Sequence, residues 1–581
     1  MGLSRRQLLR FGGVASAAAL AGSCAVSGAR FRAPRWTGDP FTLGVASGEP
    51  TSDGVVLWTR LAPDPFAPDG HGGMPARPVT VDFEIAGDEH FRQVVRRGSV
   101  VADRALGHSV HPEIGGLEPQ RWYYYRFRAG SALSPVGRTR TAPRPGTGSR
   151  LRFAYASCHA WNDGHYTAYR HLADEDLDLV VHLGDYIYEY PLTGRRRGVR
   201  VPSPLRHEAR DLTGYRLHYA WFKSEEPLRR AHAAFPWLVT MDDHEVDDDW
   251  AADTAASAID LDALRAVFLR RRAAAFQAMY EHQPLRLAQL PSGPNMRLHR
   301  RYRFGDLAEI TLLDTRQYRT RQACGGEIVS DCAQTAGVDR TILGGAQRQW
   351  LLDGFAHSPA RWQILGNQVV LGRTDHDPGP GVAISTDAWD GYASERAAIL
   401  GAAADRSVRN LVVLTGDRHE NYATDLRRDV GDSESAVVAA EFTGTSISSG
   451  GDGVDLPARG RDLLAANPDL KFYNSQRGYV RVEVDERVWR TDFRVVPYVE
   501  RPGAPVHTRA SFVVQDGVPG AVEASRWERP ATAEPTIRVE HAAAAPHDPG
   551  DNPGSTRSAP AAARPPAPVH TPGTSRLRSP P

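Results

Sequence analysis

Residues 179–190 read LVVHLGDYIYEY, an apolar run that ends in polar side chains. The run predicts a short β-strand, and Gly184, Asp185 and Tyr188 follow it. Other short apolar runs alternate with helical stretches from about residue 151 onward, which predicts an α/β arrangement. In α/β sheets, ligands bind at the carboxyl ends of the strands. We therefore expect Asp185 and Tyr188 to lie in a binding site.

The same design occurs three more times along the chain. RFAYASCH (152–159), FPWLVTMDDHE (235–245) and LVVLTGDRHENYA (411–423) each join an apolar strand to polar residues. The potential metal ligands that follow these strands are Cys158, His159, Asp242, Asp243, His244, Asp417 and His419. A single strand with a Gly-Asp pair after it is most often only a turn. Four such strand ends together favour one shared site.

Metal binding explains the residue types at these strand ends. Carboxylate, imidazole, thiolate and phenolate ligands suit a site that holds two or more metal ions, and a carboxylate bridges such ions. The stretch TMDDHEVDDDW (240–250) carries six carboxylates. Crowded like charges cost free energy unless a positive group compensates them. The sequence therefore predicts cations beside this stretch.

The order of the motifs resembles a known family. ASCH, HLGDYIYE, DDHEV, LLDTRQYR, ILGNQV, DAWDGY, TGDRH and EFTGTSISSGG occur in this order. Together they resemble the PhoD-type alkaline phosphatases of the metallophosphoesterase superfamily, over roughly residues 41–520. The resemblance implies a mixed α+β and α/β fold: a four-layer αββα metallophosphoesterase sandwich preceded by a small all-β sandwich domain.

The resemblance also implies a ligand set. A ferric ion (Fe3+) would be held by Cys158, Asp185, Tyr188 and His419. Asp185 would bridge to a calcium ion (Ca2+) that Asp243 and Asp417 complete. The ligands of a second calcium, known in the family, are not assigned. Asp247, Asp248 and Asp249 depart from the family, which often has Asn in this stretch. They either strengthen calcium binding or form a solvated loop.

The catalytic residues implied are Asp185, Asp243 and His244. His244 would hydrogen-bond the substrate phosphate, while hydroxide held between the cations attacks phosphorus. Arg316 is a candidate substrate contact or a buried salt-bridge partner. Asn367 follows another strand and is a candidate for substrate contact.

Other polar residues near the predicted site receive a plainer interpretation. His159 and His182 are interpreted as core or supporting histidines rather than ligands. The stretch GTSISSGGDG (444–453) resembles a phosphate-binding loop but lacks the lysine of such loops. We expect it to be a flexible loop near the site.

The positions of the cysteines predict one disulfide and one unpaired thiol. Cys324 and Cys332 lie close together in ACGGEIVSDC, and in an exported protein such a pair predicts a disulfide. Two free thiols are the alternative. Cys158 then has no partner, so its thiol needs burial, catalysis or a metal to explain it.

Length and composition give the domain organisation. A chain of 581 residues with 41% hydrophobic residues exceeds one ordinary domain. Alternating patterns in residues 41–145 predict an N-terminal β-sandwich domain. Residues 150–524, where short apolar strands alternate with helical stretches, form the predicted catalytic domain. Apolar spacing predicts an amphipathic helix over 261–282. The Pro- and Ala-rich residues 525–581 predict a disordered tail. A formal net charge of +1 gives no indication of nucleic-acid binding.

The N-terminus predicts export. Paired arginines, Arg5 and Arg6, precede a short apolar run and small residues, a pattern typical of a twin-arginine signal over residues 1–30. An ordinary secretory signal is the alternative, and Cys24 fits a lipoprotein signal poorly. No second segment is apolar enough to anchor the chain as a transmembrane helix. We expect a protein located in the periplasm, the cell envelope or the extracellular space.

The sequence thus predicts an exported, metal-dependent alkaline phosphatase that hydrolyses phosphomonoesters and phosphodiesters. A phosphodiesterase or phospholipase D-like hydrolase is a close alternative, since both reactions use the same metals. A catalytically decayed envelope binding protein is a third. The expected partners are phosphoester substrates and the twin-arginine export machinery, and we expect a monomer.

Overall fold

The structure is a computed structural model that describes residues 31–255, 261–326 and 328–526. The predicted signal peptide (1–30) and nearly all of the predicted tail (525–581) lie outside these residues. Among the described residues, no helix has both the length and the apolar character needed to cross a membrane.

The strands fall into an N-terminal group and a larger group that follows it. The N-terminal strands are β1 Val45–Gly48, β2 Val55–Arg60, β3 Val79–Ala86, β4 Val94–Ala102, β5 Ser109–Val110, β6 Glu113–Ile114, β7 Trp122–Ala129, β8 Ala132–Leu133 and β9 Gly137–Arg140. The later strands are β10 Arg150–Ala156, β11 Leu179–His182, β12 Pro236–Val239, β13 Arg300–Phe304, β14 Ala308–Leu312, β15 Ile328–Ser330, β16 Trp362–Gly366, β17 Ala383–Ser385, β18 Leu411–Thr415, β19 Asn421–Arg427, β20 Val437–Thr443, β21 Leu470–Asn474, β22 Arg477–Asp485, β23 Val488–Val496, β24 His507–Gln515 and β25 Val518–Arg526.

Among the described residues, the helices follow the N-terminal strands, apart from one short 3-10 turn at Arg104–Leu106. The α-helices of the described residues are α1 Thr167–Leu172, α2 Leu212–Lys223, α3 Glu226–Ala234, α4 Leu261–His282, α5 Gly344–His357, α6 Ala393–Asp405 and α7 Ala458–Ala466. Further 3-10 turns span Ser203–Arg206, Leu287–Gln289, Ala323–Gly325, Ala333–Ala336 and Trp389–Tyr392.

Two mixed sheets carry the strands that end in candidate ligands. The larger sheet has the order β25-β24-β23-β22-β10-β11-β12-β1-β2-β5, with β6 beside β2. In its centre β10, β11 and β12 run parallel. The second sheet has the order β13-β14-β16-β18-β20-β19-β21, with β14, β16, β18 and β20 parallel. Three of the four ligand-bearing strands are therefore neighbours in one sheet, and β18 belongs to the other.

One buried cluster joins the two sheets. It contains Phe153 and Leu179 of the larger sheet together with Ile364 and Val412 of the second sheet. A second cluster packs helices α2, α3 and α4 against the larger sheet, and a third packs α5 and α6 against the second sheet. Each of β11, β12, β16 and β18 is buried along its whole length, which explains their continuous apolar runs.

The N-terminal strands divide between two sheets. The sequence predicts a sandwich of residues 41–145 alone, but β1 pairs in parallel with β12, with Ser47 opposite Pro236. Thus β1, β2, β5 and β6 extend the larger sheet, while β3, β4, β7, β8 and β9 form a sheet of their own. A shared cluster that includes Val45, Val81 and Phe127 packs these two groups together.

The helix predicted over residues 261–282 is confirmed with those bounds. An amphipathic helix would bury one apolar face along its whole length, but the structure buries mainly the C-terminal part of this helix. Leu264 and Val267 near its start are 46% and 52% exposed, whereas Phe276 near its end is buried. The last turns are covered because β2 packs on them, with Trp58 Nε1 donating to the Glu281 carbonyl at 3.0 Å.

Candidate active site

The loops that follow β10, β11 and β12 are in direct backbone contact. Cys158 N donates to the Gly184 carbonyl at 3.1 Å. Gly184 has φ of 119°, and a Cβ there would lie 2.5 Å from Asp242 N, so only glycine allows the second and third loops to approach this closely. A Cβ on Gly416 would likewise lie 2.8 Å from Ser157 Oγ, which brings the loop after β18 against the loop after β10.

Four candidate ligands sit on a left-handed backbone. The φ angles are 58° at Cys158, 56° at Asp185, 64° at Asp417 and 55° at His419. A non-glycine residue in this region costs about 1 kcal/mol or more, and such residues cluster at functional sites because surrounding contacts hold them there. The strands β10, β11 and β18 are therefore each followed by a sharp turn that carries a candidate ligand.

Two groups of candidate ligands share one carboxylate. Ligand atoms of Cys158, Asp185 and His419 all lie within 4.8 Å of one another, and so do those of Asp185, Asp243 and His244. The Tyr188 hydroxyl lies 3.1 Å from Asp185 Oδ2 and 3.4 Å from His419 Nε2. Asp185 is the residue common to both groups, which is the position a bridging ligand needs.

The donor set fits cations. Asp185 is 2% exposed, and its Oδ1 has no hydrogen-bond partner in the described part of the chain. Burial raises the pKa of Asp185 well above its usual value, and the like charges of Asp243 and Asp242 add to this rise while His244 opposes it. Burial followed by the Asp185 charge also raises the pKa of Tyr188 and of Cys158. A cation would reverse all three shifts, because it stabilises the anionic forms.

Asp417 follows β18 of the second sheet and lies outside the two groups within 4.8 Å. Burial raises its pKa to about 6, and the charge of Arg418 opposes this rise. Asp243 and Asp387 act on the same carboxylate as like charges. Asp417 is therefore close to the site, and its role as a calcium ligand remains a prediction.

His244 is oriented by a residue that the sequence did not indicate. Its Nδ1 lies 2.9 Å from Glu189 Oε2, and Glu189 Oε1 accepts the Asp248 backbone N–H at 2.9 Å. Burial lowers the pKa of His244, but Asp243 and Asp185 outweigh this effect and raise it well above its usual value. With Nδ1 occupied, Nε2 is the nitrogen available to a substrate. Glu189 lies inside the quoted HLGDYIYE motif, four residues after Asp185, which was the only signal for it.

Glu245 joins two ligand loops and was also missed. Its Oε2 accepts backbone N–H groups from Asp185 at 3.1 Å and Asp242 at 2.9 Å, while Oε1 accepts that of Tyr186 at 2.6 Å. Burial raises the pKa of Glu245 to about 7, and these hydrogen bonds oppose the rise. The carboxylate thus fixes the backbone on both sides of the site rather than serving as a ligand itself.

The structure favours the buried ion pair for Arg316. Its side chain is fully buried, Nε donates to Asp242 Oδ1 at 2.6 Å, and the two terminal nitrogens reach Asp387 at 2.9 and 3.0 Å. A guanidinium with these partners has no surface left for a substrate. The predicted substrate contact of Arg316 is therefore replaced by a bidentate clamp on two buried carboxylates.

Asn367 is likewise engaged inside the protein. It is 1% exposed, Trp389 Nε1 donates to its Oδ1 at 3.1 Å, and its Nδ2 donates to the Val369 carbonyl. These bonds leave no polar surface for the predicted substrate contact. Asn367 instead connects the end of β16 to Trp389.

The acidic residues 247–249 and the loop 444–453 lie around the site. Asp247 pairs with Arg271 at 3.0 Å, and ligand atoms of Asp243, Asp248 and Asp249 lie within 4.8 Å of one another. The loop 444–453 is packed rather than open, since Ser449 is buried and its Oγ lies 2.7 Å from the Tyr188 hydroxyl.

The predicted disulfide and supporting histidines lie outside the ligand groups. Cys324 and Cys332 are joined as a disulfide, with Cα atoms 6.3 Å apart. His159 and His182 are buried beside Tyr186, as expected of supporting residues.

Comparisons with known proteins agree on one family. The PhoD-like phosphatase profile matches residues 153–493, and that of the PhoD-like phosphatase N-terminal domain matches residues 24–143. Alkaline phosphatase D of Bacillus subtilis (strain 168) is 46% identical over 487 residues, which cover 83% of this chain and 82% of the relative.

Solved structures give the same result. The structure of PhoD matches with a TM-score of 0.81 and 45% identity, over 85% of this chain and 94% of that one. A purple acid phosphatase from yellow lupin (Lupinus luteus) seeds matches with a TM-score of 0.50 at 13% identity, over 81% of this chain and 74% of that one, and shows a shared fold only. The matching profiles and the similarity to PhoD lead to one conclusion: the chain belongs to the PhoD-like phosphatase family.

Proposed function

We propose that this protein is an exported, metal-dependent phosphoric ester hydrolase that acts on phosphomonoesters and phosphodiesters. The observation that carries the proposal is Asp185. It is shared by two groups of candidate ligands, and its buried Oδ1 lacks a partner among the described residues. A buried carboxylate in this state is costly without a cation, and two ligand groups on either side of it suit a two-metal site.

The two groups suggest which residues hold which ion. Cys158, Asp185, Tyr188 and His419 offer thiolate, carboxylate, phenolate and imidazole, a set that suits a ferric ion. Asp185, Asp243 and Asp417 offer oxygen, the ligand type that calcium requires. When bound, the cations would supply Lewis acidity, which eases the deprotonation of water and neutralises charge on phosphoryl oxygens.

The residues of the chain supply orientation and a proton-bearing contact. Glu189 holds His244 by Nδ1, so that Nε2 points to the substrate and hydrogen-bonds a phosphoryl oxygen. Arg316 stays inside the protein and holds Asp242, next to Asp243, in a fixed position. Glu245 fixes the backbone of both ligand loops. These contacts preorganise the site before substrate arrives.

The finer architecture is also part of the proposal. The buried clusters described above support four layers, with helices α2, α3 and α4 on one outer face and α5 and α6 on the other. The separate five-stranded sheet, together with the extension of the larger sheet, supports a β-sandwich in residues 41–145.

Tyr188→Phe tests the metal assignment. A free phenol is protonated at neutral pH, but a ferric ion holds it as phenolate, which gives a visible absorption band. The purified protein should contain iron and absorb visible light, and Tyr188→Phe should change this band and lower activity. Tyr479→Phe is the control, since Tyr479 is also buried and its hydroxyl donates to Glu175 Oε1 at 2.8 Å instead. An iron-containing protein whose spectrum survives Tyr188→Phe would show that Tyr188 is not a ligand.

Hydrolysis rates measured on a panel of phosphoesters separate the alternatives. Hydrolysis of diesters without monoesters would favour the phosphodiesterase, and metal binding without any hydrolysis would favour the decayed binding protein.

A variant of the N-terminus tests export. Replacement of Arg5 and Arg6 by Lys should leave active precursor inside the cell, and normal export of that variant would contradict the twin-arginine signal.

A further inference from the structure

Tyr190 is an exposed aromatic residue at the candidate site. Its side chain is 40% exposed, whereas Tyr188 beside it is 7% exposed. The Tyr190 ring centroid lies 5.1 Å from that of His244 in an edge-to-face arrangement and 6.5 Å from that of Tyr188. An aromatic surface exposed to this extent is available to pack against another ring. Tyr190 thus presents exposed apolar surface beside His244.

The neighbours of Tyr190 fix where a substrate would lie. His244 Nδ1 is occupied by Glu189, so that only Nε2 faces a phosphoryl oxygen. His244 Nε2 lies 3.8 Å from Asp248 Oδ1, and the Asp248 side chain is 57% exposed. This nitrogen therefore lies between the buried ligand group and the exposed Asp248, and Tyr190 contacts both His244 and Asp248.

The hydroxyl of Tyr190 is held beside Asp248. The Tyr190 hydroxyl and the Asp248 carboxylate are side-chain hydrogen-bond partners, so the hydroxyl lies on the same side as Asp248. This contact orients the hydroxyl, and 40% of the Tyr190 side chain stays exposed.

We propose that Tyr190 is a specificity-determining residue that stacks on the alcohol portion of the substrate and favours phosphoesters of aromatic alcohols. The inference rests on the proposed function and adds the substrate class. A phosphoryl group bound at His244 lies inside the site. The organic portion of the bound ester must therefore extend from the site toward solvent. An aromatic group one bond from the ester oxygen then reaches the exposed surface of Tyr190, where ring pairs gain from stacking.

Steady-state kinetics on two monoesters test the proposal. Tyr190→Ala should lower kcat/KM for phenyl phosphate about tenfold and leave that for glycerol phosphate within about twofold, as expected for loss of one stacking contact. Each variant is compared with the wild type on the same ester, so that differences in leaving-group chemistry cancel. Tyr190→Phe should keep the preference, and Tyr190→Leu, which still covers His244, should lose it.

A purely structural role predicts a different result. If Tyr190 only shields or orients His244, then Tyr190→Ala lowers kcat/KM for both esters by the same factor, which would overturn the proposal. No change for either ester would also overturn it. Tyr318→Ala is the matched control, because Tyr318 is 41% exposed and packs on His299, away from the site.

Binding separates this inference from the proposed function. Calorimetric titration with phenylphosphonate and methylphosphonate needs no turnover. Tyr190→Ala should weaken phenylphosphonate binding by about tenfold and leave methylphosphonate unchanged. Equal weakening of both refutes the role of Tyr190, even if the wild-type protein hydrolyses every ester tested. A wild type that binds both phosphonates but hydrolyses nothing refutes the proposed function instead.

Discussion

Glu245→Gln should weaken metal binding without disrupting the fold. The carboxylate accepts three backbone N–H groups: those of Asp185 and Asp242 on Oε2, and that of Tyr186 on Oε1. A glutamine has one acceptor oxygen, so its amide group must face at least one of these donors. The best arrangement keeps the pair on Oε2 and leaves Tyr186 N buried without an acceptor.

The magnitude follows from that lost bond. A buried unsatisfied N–H group costs about 1–3 kcal/mol, so we expect a loss of unfolding free energy in that range. The larger consequence concerns Asp185, because its turn after β11 has φ of 56° and relies on Glu245 to hold it. Changes to residues that support a ligand typically reduce metal affinity about 10- to 100-fold.

Glu395→Gln provides the control for this prediction. Glu395 is 1% exposed, and its Oε2 accepts the backbone N–H groups of Ile342 and Leu343 at 2.6 and 3.2 Å, away from the site. Metal affinity, measured by competition with a chelator, should fall only in Glu245→Gln, while chemical unfolding of the metal-free proteins reports the stability cost of each variant. If Glu245→Gln keeps wild-type metal affinity, the reasoning that Glu245 positions the ligand loops is wrong.

Three other predictions concern stability and charge. Reduction of the Cys324–Cys332 disulfide should cost about 2.5 kcal/mol in the chain-entropy model, since the sequence separation is 8; intact-mass analysis that finds two free thiols would contradict it. Arg316→Met should destabilise the protein by about 3–5 kcal/mol, because buried carboxylates lose their partner, and unfolding titrations measure this. His282 is buried, and burial followed by the charge of Arg60 lowers its pKa, so His282 stays neutral in the folded protein while the unfolded chain takes up a proton below about pH 6.5. The contribution of His282 to the free energy of unfolding is therefore complete above about pH 6.5 and falls by about 1 kcal/mol on going to pH 5.5. His282→Gln should remove this part of the pH dependence, and an unchanged slope would refute it.

The strand ends could be predicted from the sequence because each is a local pattern. Runs buried on both faces, such as β11 and β18, are apolar throughout, and the polar residue after them marks the sheet edge. The turn residues Asp185 and Asp417 then follow directly. Their convergence was inferred from strand-end geometry alone, and the structure supports it for Cys158, Asp185, Tyr188, Asp243 and His419.

Long-range pairing could not be predicted in the same way. The contact of β1 with β12 joins residues almost 200 positions apart, and nothing in VASG indicates a partner. The burial of helix α4 also depends on where β2 packs, so spacing alone gave an apolar face along its whole length. Both features follow from tertiary contacts rather than from local propensity.

The acidic stretch 240–250 shows why supporting residues were harder to identify than ligands. Its carboxylates look alike in the sequence, but their partners differ. Asp242 is held by Arg316 at 2.6 Å and Asp247 by Arg271 at 3.0 Å. Glu245 is stabilised by backbone N–H groups. Only the partners distinguish these residues from ligands, and of these partners only the Asp242 N–H group lies within the stretch itself.

The carboxylates that lack a compensating positive group indicate where a cation would bind. Asp242 and Asp185 each keep one buried oxygen without a hydrogen-bond partner in the described residues. Asp242 is also paired with Arg316, Asp247 with Arg271, and Glu245 accepts backbone N–H groups, whereas the described residues give Asp185 no ion pair of this kind. Burial raises the pKa of Asp243, yet Arg316 and His244 outweigh this and hold it below its usual value, so Asp243 stays ionised close to Asp185. Two buried carboxylates within 4.8 Å repel unless a positive charge lies between them. The uncompensated charge therefore falls where the two ligand groups meet, and not on the acidic stretch as a whole.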